Sequence, residues 1–210
     1  LSDKKYIGCD GIEIQLFDEL IANKKMGLYR KYKEVIDVRD FVRRYDIDII
    51  HSPLVQGDVL LEALVDSKDG VLLTEIFDLA QEVAELSNKN IGVVIYYEKL
   101  EDEDKWRDIV TWVGTILSYH PNTYLLIENV SPFRDINKGH FPRVSNNFGF
   151  DNVEMVSALR RDTGISRIYT CLDTAHALIS IQCIDSWYKF MSDLKPYKVT
   201  MEDYFEKNKD

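Results

Sequence analysis

The stretch Cys171-Leu172-Asp173-Thr174-Ala175-His176 sets a carboxylate and an imidazole three residues apart, directly after the apolar, β-branched and aromatic run Ile168 to Leu172. A run of that kind reads as a buried strand, so Asp173 leaves its end and His176 follows just beyond, where the two can share a metal. A plainer reading stands beside this one: Asp173 or Thr174 is the N-cap of the next helix and His176 lies in its first turn. The other strand ends bear on the choice. They carry His51, Tyr97 with Glu98, Glu128 with Asn129, and Glu202 with Asp203. Two or three carboxylates with one or two imidazoles, and no thiolate, suit Mn²⁺, Mg²⁺, Zn²⁺ or Fe²⁺. Without a cation, acids crowded into one mouth repel and raise one another's pKa; a bound cation removes that cost.

The elements that must position these residues follow from periodicity. Gly11 to Phe17 alternates apolar and polar residues and reads as a strand, after a helix ending near residue 8. A helix over Lys33 to Tyr45 leads into the strand Ile47 to His51, which Ser52-Pro53 stops because proline removes a donor and restricts its neighbour. Leu72, Leu73, Ile76, Phe77, Ala80, Val83 and Ala84 fall at helical spacing. Ile91 to Tyr97 is too apolar to face water on either side and belongs in a parallel sheet covered by helices. The acidic run Glu101 to Asp104 opens a helix, where negative charge complements the macrodipole, and the apolar spacing continues from Trp106 to Leu117. Then come the strand Tyr124 to Val130, an irregular stretch Ser131 to Phe150, a helix near Val153 to Arg161, the strand into Asp173, a helix near Ile179 to Leu194 and the run Tyr197 to Glu202. Strands alternating with helices imply an α/β fold with a parallel sheet, and no Gly-rich phosphate loop follows any strand. On one strand Tyr124, Leu126 and Glu128 share a face, as do Tyr169, Cys171 and Asp173 on another, so both acids are expected to point into one lumen.

Length and charge narrow the function classes. A chain of 210 residues fits one domain of the α/β-barrel size class. Its formal net charge of −10 makes nucleic acid an unexpected partner, because a protein that grips phosphates normally presents a basic face. No apolar run reaches the ~20 residues that span a bilayer, so no membrane partner is expected. Leu1 to Lys5 carries no signal-peptide core, and residence in the cytoplasm is the expectation. Cys9, Cys171 and Cys183 are odd in number and lack metal-type spacing, which reads as reduced thiols. His120 before Pro121 reads as a cation at a helix C-terminus, and Trp106 and Trp112 as core.

Gly8-Cys9-Asp10-Gly11-Ile12-Glu13, Ile50-His51-Ser52-Pro53, Leu126-Ile127-Glu128-Asn129 and Cys171-Leu172-Asp173-Thr174-Ala175-His176 together resemble the xylose isomerase-like TIM barrels, a superfamily of sugar isomerases and epimerases that also holds endonuclease IV. The resemblance implies that residues 1–210 form one domain, a TIM (β/α)8-type barrel with six of its eight strands visible, so that it is incomplete or has segments missing. It implies metal ligation by Glu128, Asp173, His176 and Glu202, catalytic roles for Glu128, Glu202 and His176, and substrate contacts from His51 and His176. His51 also matches a zinc-binding histidine of endonuclease IV, whereas the histidine of that enzyme's next strand is replaced here by Tyr96-Tyr97-Glu98.

The expected function is therefore a divalent-metal-dependent isomerase or epimerase of a small sugar-like hydroxy-carbonyl compound, with a homo-oligomer left open. The alternatives are an endonuclease IV-like phosphodiester hydrolase and a barrel that binds a sugar-like ligand without turnover. The stretch after Glu128 concentrates Arg134, Lys138, His140 and Arg143 in an acidic protein and reads as a lid that recognises a phosphate or carboxylate on the substrate. Replacing Arg134 and Arg143 by Ala is expected to lower affinity for an anionic substrate about tenfold or more, the scale of a lost charge-assisted hydrogen bond; titration calorimetry showing equal affinity would remove the lid reading.

Overall fold

The computed structural model describes residues 11–16, 37–52, 55–56, 59–60, 70–96, 103–129 and 149–178. Five β-branched and aliphatic runs form one parallel sheet: β1 (Ile12–Gln15), β2 (Ile47–His51), β5 (Ile91–Tyr96), β6 (Thr123–Glu128) and β7 (Ile168–Cys171), hydrogen-bonded in that order. A helix lies between each neighbouring pair: α1 (Val38–Arg44), α2 (Gly70–Ser87), α3 (Glu103–Tyr119) and α4 (Gly149–Thr163). Successive helices touch one another, and α2, α3 and α4 also pack on the sheet. Each strand pairs with the next in sequence, so the described strands contain no reversal of order and none of the crevice that a doubly wound sheet opens at such a reversal. No helix among the described residues is long and apolar enough to cross a membrane.

Alternation of side chains divides the sheet into two chemically different faces. Register aligns Ile50, Val93, Leu125 and Ile168 across four strands, all fully buried under the helices. Phe77 and Val83 of α2, Val113 and Leu117 of α3, and Met155 and Leu159 of α4 complete that layer. The opposite face carries Ile49, Gly92 and Tyr124 in one row and His51, Val94, Leu126 and Tyr169 in the next. Tyr124 and Tyr169 meet edge to face at 5.7 Å between ring centroids. Gly92 makes room for this packing, since a Cβ there would lie 2.8 Å from Tyr124 Cε2 and 2.9 Å from Leu126 Cδ1.

Three polar ties hold the helix–strand corners. Asn88, at φ 55°, turns the chain out of α2 while the Lys89 N–H reaches back to Ala84 O at 3.2 Å. That turn delivers Lys89 to Asp46, at 2.8 Å, and to Asp48. His120 is buried, donating from Nδ1 to Ile116 O at 2.6 Å and meeting Asp78 Oδ1 of α2 at 2.9 Å through Nε2. It stands at the C-terminal end of α3, where the sequence placed it, and ties that end to α2. Arg167 bonds the carbonyls of Leu117, at 2.7 Å, and of His120 and Thr123.

The elements differ from the sequence reading at their edges. Helix α1 starts at Val38 rather than Lys33, because Asp37 caps it by accepting the N–H groups of Arg39 (3.0 Å) and Asp40 (3.2 Å). Helix α4 takes in Gly149 and Phe150, which read as loop, and β7 stops at Cys171. Two short antiparallel strands, β3 (Val55–Gln56) and β4 (Val59–Leu60), were not foreseen, since two residues are too few to show a period. The run Tyr197 to Glu202, the helix near Ile179 to Leu194, and Cys9 and Cys183 lie outside the described residues.

Gly92→Ala is expected to destabilise the fold by about 1–3 kcal/mol, the usual cost of forcing a methyl group into filled space. The check is urea unfolding: the midpoint falls while the slope holds, and an unchanged midpoint contradicts the packing described for Tyr124 and Leu126.

Candidate metal centre

Glu128, the last residue of β6, points to the face away from the helices and is only 4% exposed. A carboxylate so buried needs a partner, and His51, the last residue of β2 and 6% exposed, provides one. Strand β5 lies between them, placing the two backbones ~10 Å apart by ordinary strand spacing. The side chains lean toward each other over Val94 until His51 Nε2 and Glu128 Oε2 are 2.7 Å apart. On its other side His51 donates from Nδ1 to the backbone carbonyl of Ser52 at 2.8 Å. A carbonyl only accepts, so Nδ1 carries a proton, and in the protonated ring Nε2–H donates to the carboxylate. Burial alone would lower the His51 pKa; the Glu128 and Ser52 hydrogen bonds and the charges of Glu128 and Glu13 outweigh it, and the pKa is raised above 6.5.

Beyond the strand ends, Asn129 takes over from the backbone ladder. It is fully buried, its N–H meets Cys171 O at 3.3 Å, and its side chain pairs twice with the backbone of Asp173. Nδ2 donates to Asp173 O at 2.9 Å and Oδ1 accepts the Asp173 N–H at 2.6 Å. Asp173 then caps the helical turn at residues 174–178, its Oδ1 accepting the N–H groups of Ala175 (2.7 Å) and His176 (3.1 Å). The turn brings the His176 ring back over the strand ends, where Nδ1 donates to Asn129 O at 2.8 Å. That nitrogen lies 3.5 Å from Asp173 Oδ2 and 3.7 Å from Glu128 Oε1.

Each acid thus engages one oxygen locally, Glu128 Oε2 with His51 and Asp173 Oδ1 with the cap, and turns the other toward His176. One ligand atom from each of Glu128, Asp173 and His176 falls within a 4.8 Å cluster. Ligands held ~2.1 Å from a metal lie about 3–4 Å from one another, and Nδ1 of His176 stands at that spacing from both acids. Its bond to Asn129 O orients the ring, and a cation taken by Nδ1 would replace the proton on that nitrogen.

Electrostatics agree with the division of roles. Burial pushes the Asp173 pKa up, but the His176 N–H, the His176 ring, the Ala175 N–H and Glu128 pull it further the other way, and it ends below 3.8. The Cys171 thiol, half-buried beside Glu128, is pushed up to about 11 by burial and by the charges of Glu128, Glu13 and Asp173. It stays protonated near neutrality.

Of the residues singled out by sequence, the structure brings together Glu128, Asp173, His176 and His51; Glu202, Arg134, Arg143, Lys138 and His140 lie outside the described residues. Asp173 and Cys171 were expected on one strand face, yet β7 ends before Asp173, which reaches the cluster from the cap position instead. His51 supports Glu128 with both ring nitrogens engaged. Two asparagines had been given no role. Asn129 was visible as part of the Glu128-Asn129 strand end that carries the resemblance, with no contact assigned to it. Asn152 replaces an apolar residue in the helical stripe with Met155, Val156 and Leu159, a signal of a buried polar tie; its Nδ2 makes long, 3.4 Å contacts to Ile127 O and Cys171 O, and its buried Oδ1 has no partner among the described residues. No protein-family model, curated protein or solved structure matches this chain.

A raised His51 pKa means that the pair stabilises the fold fully below pH 6.5, and that this contribution is lost as pH rises through the higher folded-state value. The stability advantage of the wild type over His51→Gln is expected to shrink above pH 6.5, by up to ~1.4 kcal/mol per pH unit. Denaturant unfolding from pH 6 to 9 measures it; an advantage that is constant or grows with pH contradicts the pairing.

Proposed function

We propose that the chain is a metal-dependent enzyme built on a TIM (β/α)8-type barrel of the xylose isomerase-like kind. Five consecutive parallel strands, with neighbouring helices packed on one another, match an arc of such a barrel, in which functional residues gather at the C-terminal strand ends. The particular reaction is isomerisation or epimerisation of a small sugar-like hydroxy-carbonyl compound. The observation that carries this reading is the Glu128, Asp173 and His176 cluster at the ends of adjacent strands β6 and β7, with His51 reaching it from β2.

A divalent cation held there supplies a Lewis acid that stabilises charge developing on a carbonyl oxygen while the neighbouring carbon loses a proton. Glu128 and Asp173 provide the negative charge that attracts the cation. With His51 Nε2 2.7 Å from Glu128 Oε2, the pair can accept or return one proton during turnover. His176, with its tautomer set by Asn129 O, orients a substrate oxygen. Glu202 is the second base that the resemblance supplies, and Arg134 and Arg143 the candidate contacts to an anionic substrate group. Phosphodiester hydrolysis of the endonuclease IV type draws less support: His51 spends both ring nitrogens within the protein, and the chain carries a net charge of −10.

Asp173→Asn separates the two duties of Asp173, since asparagine caps helices about as well as aspartate but lacks the charge. Equilibrium dialysis with Mn²⁺ is expected to show binding to the wild type and at least tenfold weaker binding to Asp173→Asn and Glu128→Gln. The melting temperature of Asp173→Asn in chelator should stay within a few degrees of the wild type. A wild type that binds no divalent metal would sink this reading. Exchange of a substrate C–H for deuterium in D₂O, followed by NMR across a panel of aldoses and ketoses, would identify the reaction.

A further inference from the structure

We infer that Asn129 is a positioning residue, which locks Asp173 and His176 into one arrangement and thereby sets the cation affinity of the cluster; the affinity part rests on the metal reading above. Among the described residues, the hydrogen bonds of Asn129 run to Cys171, Asp173 and His176, beside or within the cluster. Its side-chain amide takes both polar groups of the Asp173 backbone, at 2.6 and 2.9 Å, and its own carbonyl takes the His176 Nδ1–H at 2.8 Å. Glu128 is its covalent neighbour, so all three donor residues are bonded to this one fully buried side chain and its peptide units.

The residue type matters physically. Strand β7 ends at Cys171, and past that point no backbone group of β6 pairs with Asp173 among the described residues. A primary amide presents a donor and an acceptor side by side, as a peptide group does, and so continues the ladder by one step. Aspartate would set an acceptor against the Asp173 carbonyl, and leucine would offer neither group. Outer partners of this kind typically change metal affinity 10–100-fold, because the donors no longer come pre-ordered.

Two readouts test the inference. In Mn²⁺ titrations followed by EPR, Asn129→Leu is expected to bind 10–100-fold more weakly than the wild type. In the metal-free protein at alkaline pH, ¹⁵N NMR should find the His176 proton on Nδ1 in the wild type and mostly on Nε2 in Asn129→Leu. Asn152→Leu, which removes a buried amide from the same strand ends without touching the donors, serves as the control for general loosening. It should keep the wild-type affinity, and an equal loss there overturns the inference. Unchanged Mn²⁺ affinity in Asn129→Leu also overturns it while leaving the metal reading intact. If the wild type binds no Mn²⁺, the metal reading and the affinity role fall, and the tautomer alone decides the positioning role: a move to Nε2 supports it, retention on Nδ1 overturns it. Should Asn129→Leu fail to fold, Asn129→Ala is read by the same measurements.

Discussion

The burial of Glu128 is the constraint on which the rest of the site depends. An ionised carboxylate withdrawn from water is tolerable only when it is paired and hydrogen-bonded, and the partner here stands two strands away on β2. Such a pairing across β5 requires both residues to stand on one face, close enough in height for their side chains to meet. The parallel register meets both demands, because His51 aligns with Val94 and Val94 with Leu126, two residues before Glu128 on the same face. The 2.7 Å contact therefore reports on the arrangement of three strands at once.

The two faces of the sheet divide the labour. Under the helices, the aligned Ile50, Val93, Leu125 and Ile168 supply the apolar burial that drives folding. The other face can then carry glycine, tyrosines, a histidine and an acid, a mixture that would make a poor core. Polar ties at the helix corners, Lys89 with Asp46 and Asp48, and His120 with Asp78, keep the helices in register with the strands they follow.

Asp173 shows how one side chain can cap a helix and still keep a carboxylate oxygen beside the neighbouring donors. Capping takes a single carboxylate oxygen, and the geometry that makes Oδ1 face the N–H groups of Ala175 and His176 leaves Oδ2 on the side of the returning His176 ring. The cap is also what makes the histidine return, since it begins the turn that carries His176 back over Asn129. A strand-end acid followed three residues later by histidine thus builds its own two-donor corner, and Asn129 joins that corner to Glu128.

Sequence alone determined the elements and the candidates. Apolar runs and helical spacing marked the five strands of the sheet and the helices between them, and acids and imidazoles at strand ends marked Glu128, Asp173, His176 and His51. These are local signals, readable because side-chain periodicity follows directly from backbone geometry. Tertiary structure decided the partnerships. His51 and Glu128 are 77 residues apart and Asn129 and Asp173 are 44 apart, distances over which no periodic signal runs. For the same reason the helix end that His120 occupies was legible, but its Asp78 partner, 42 residues away, was not. Which groups share a hydrogen bond, which oxygen of each acid faces inward, and which asparagine ties the corner together depend on strand order and register, and those exist only once the sheet has formed.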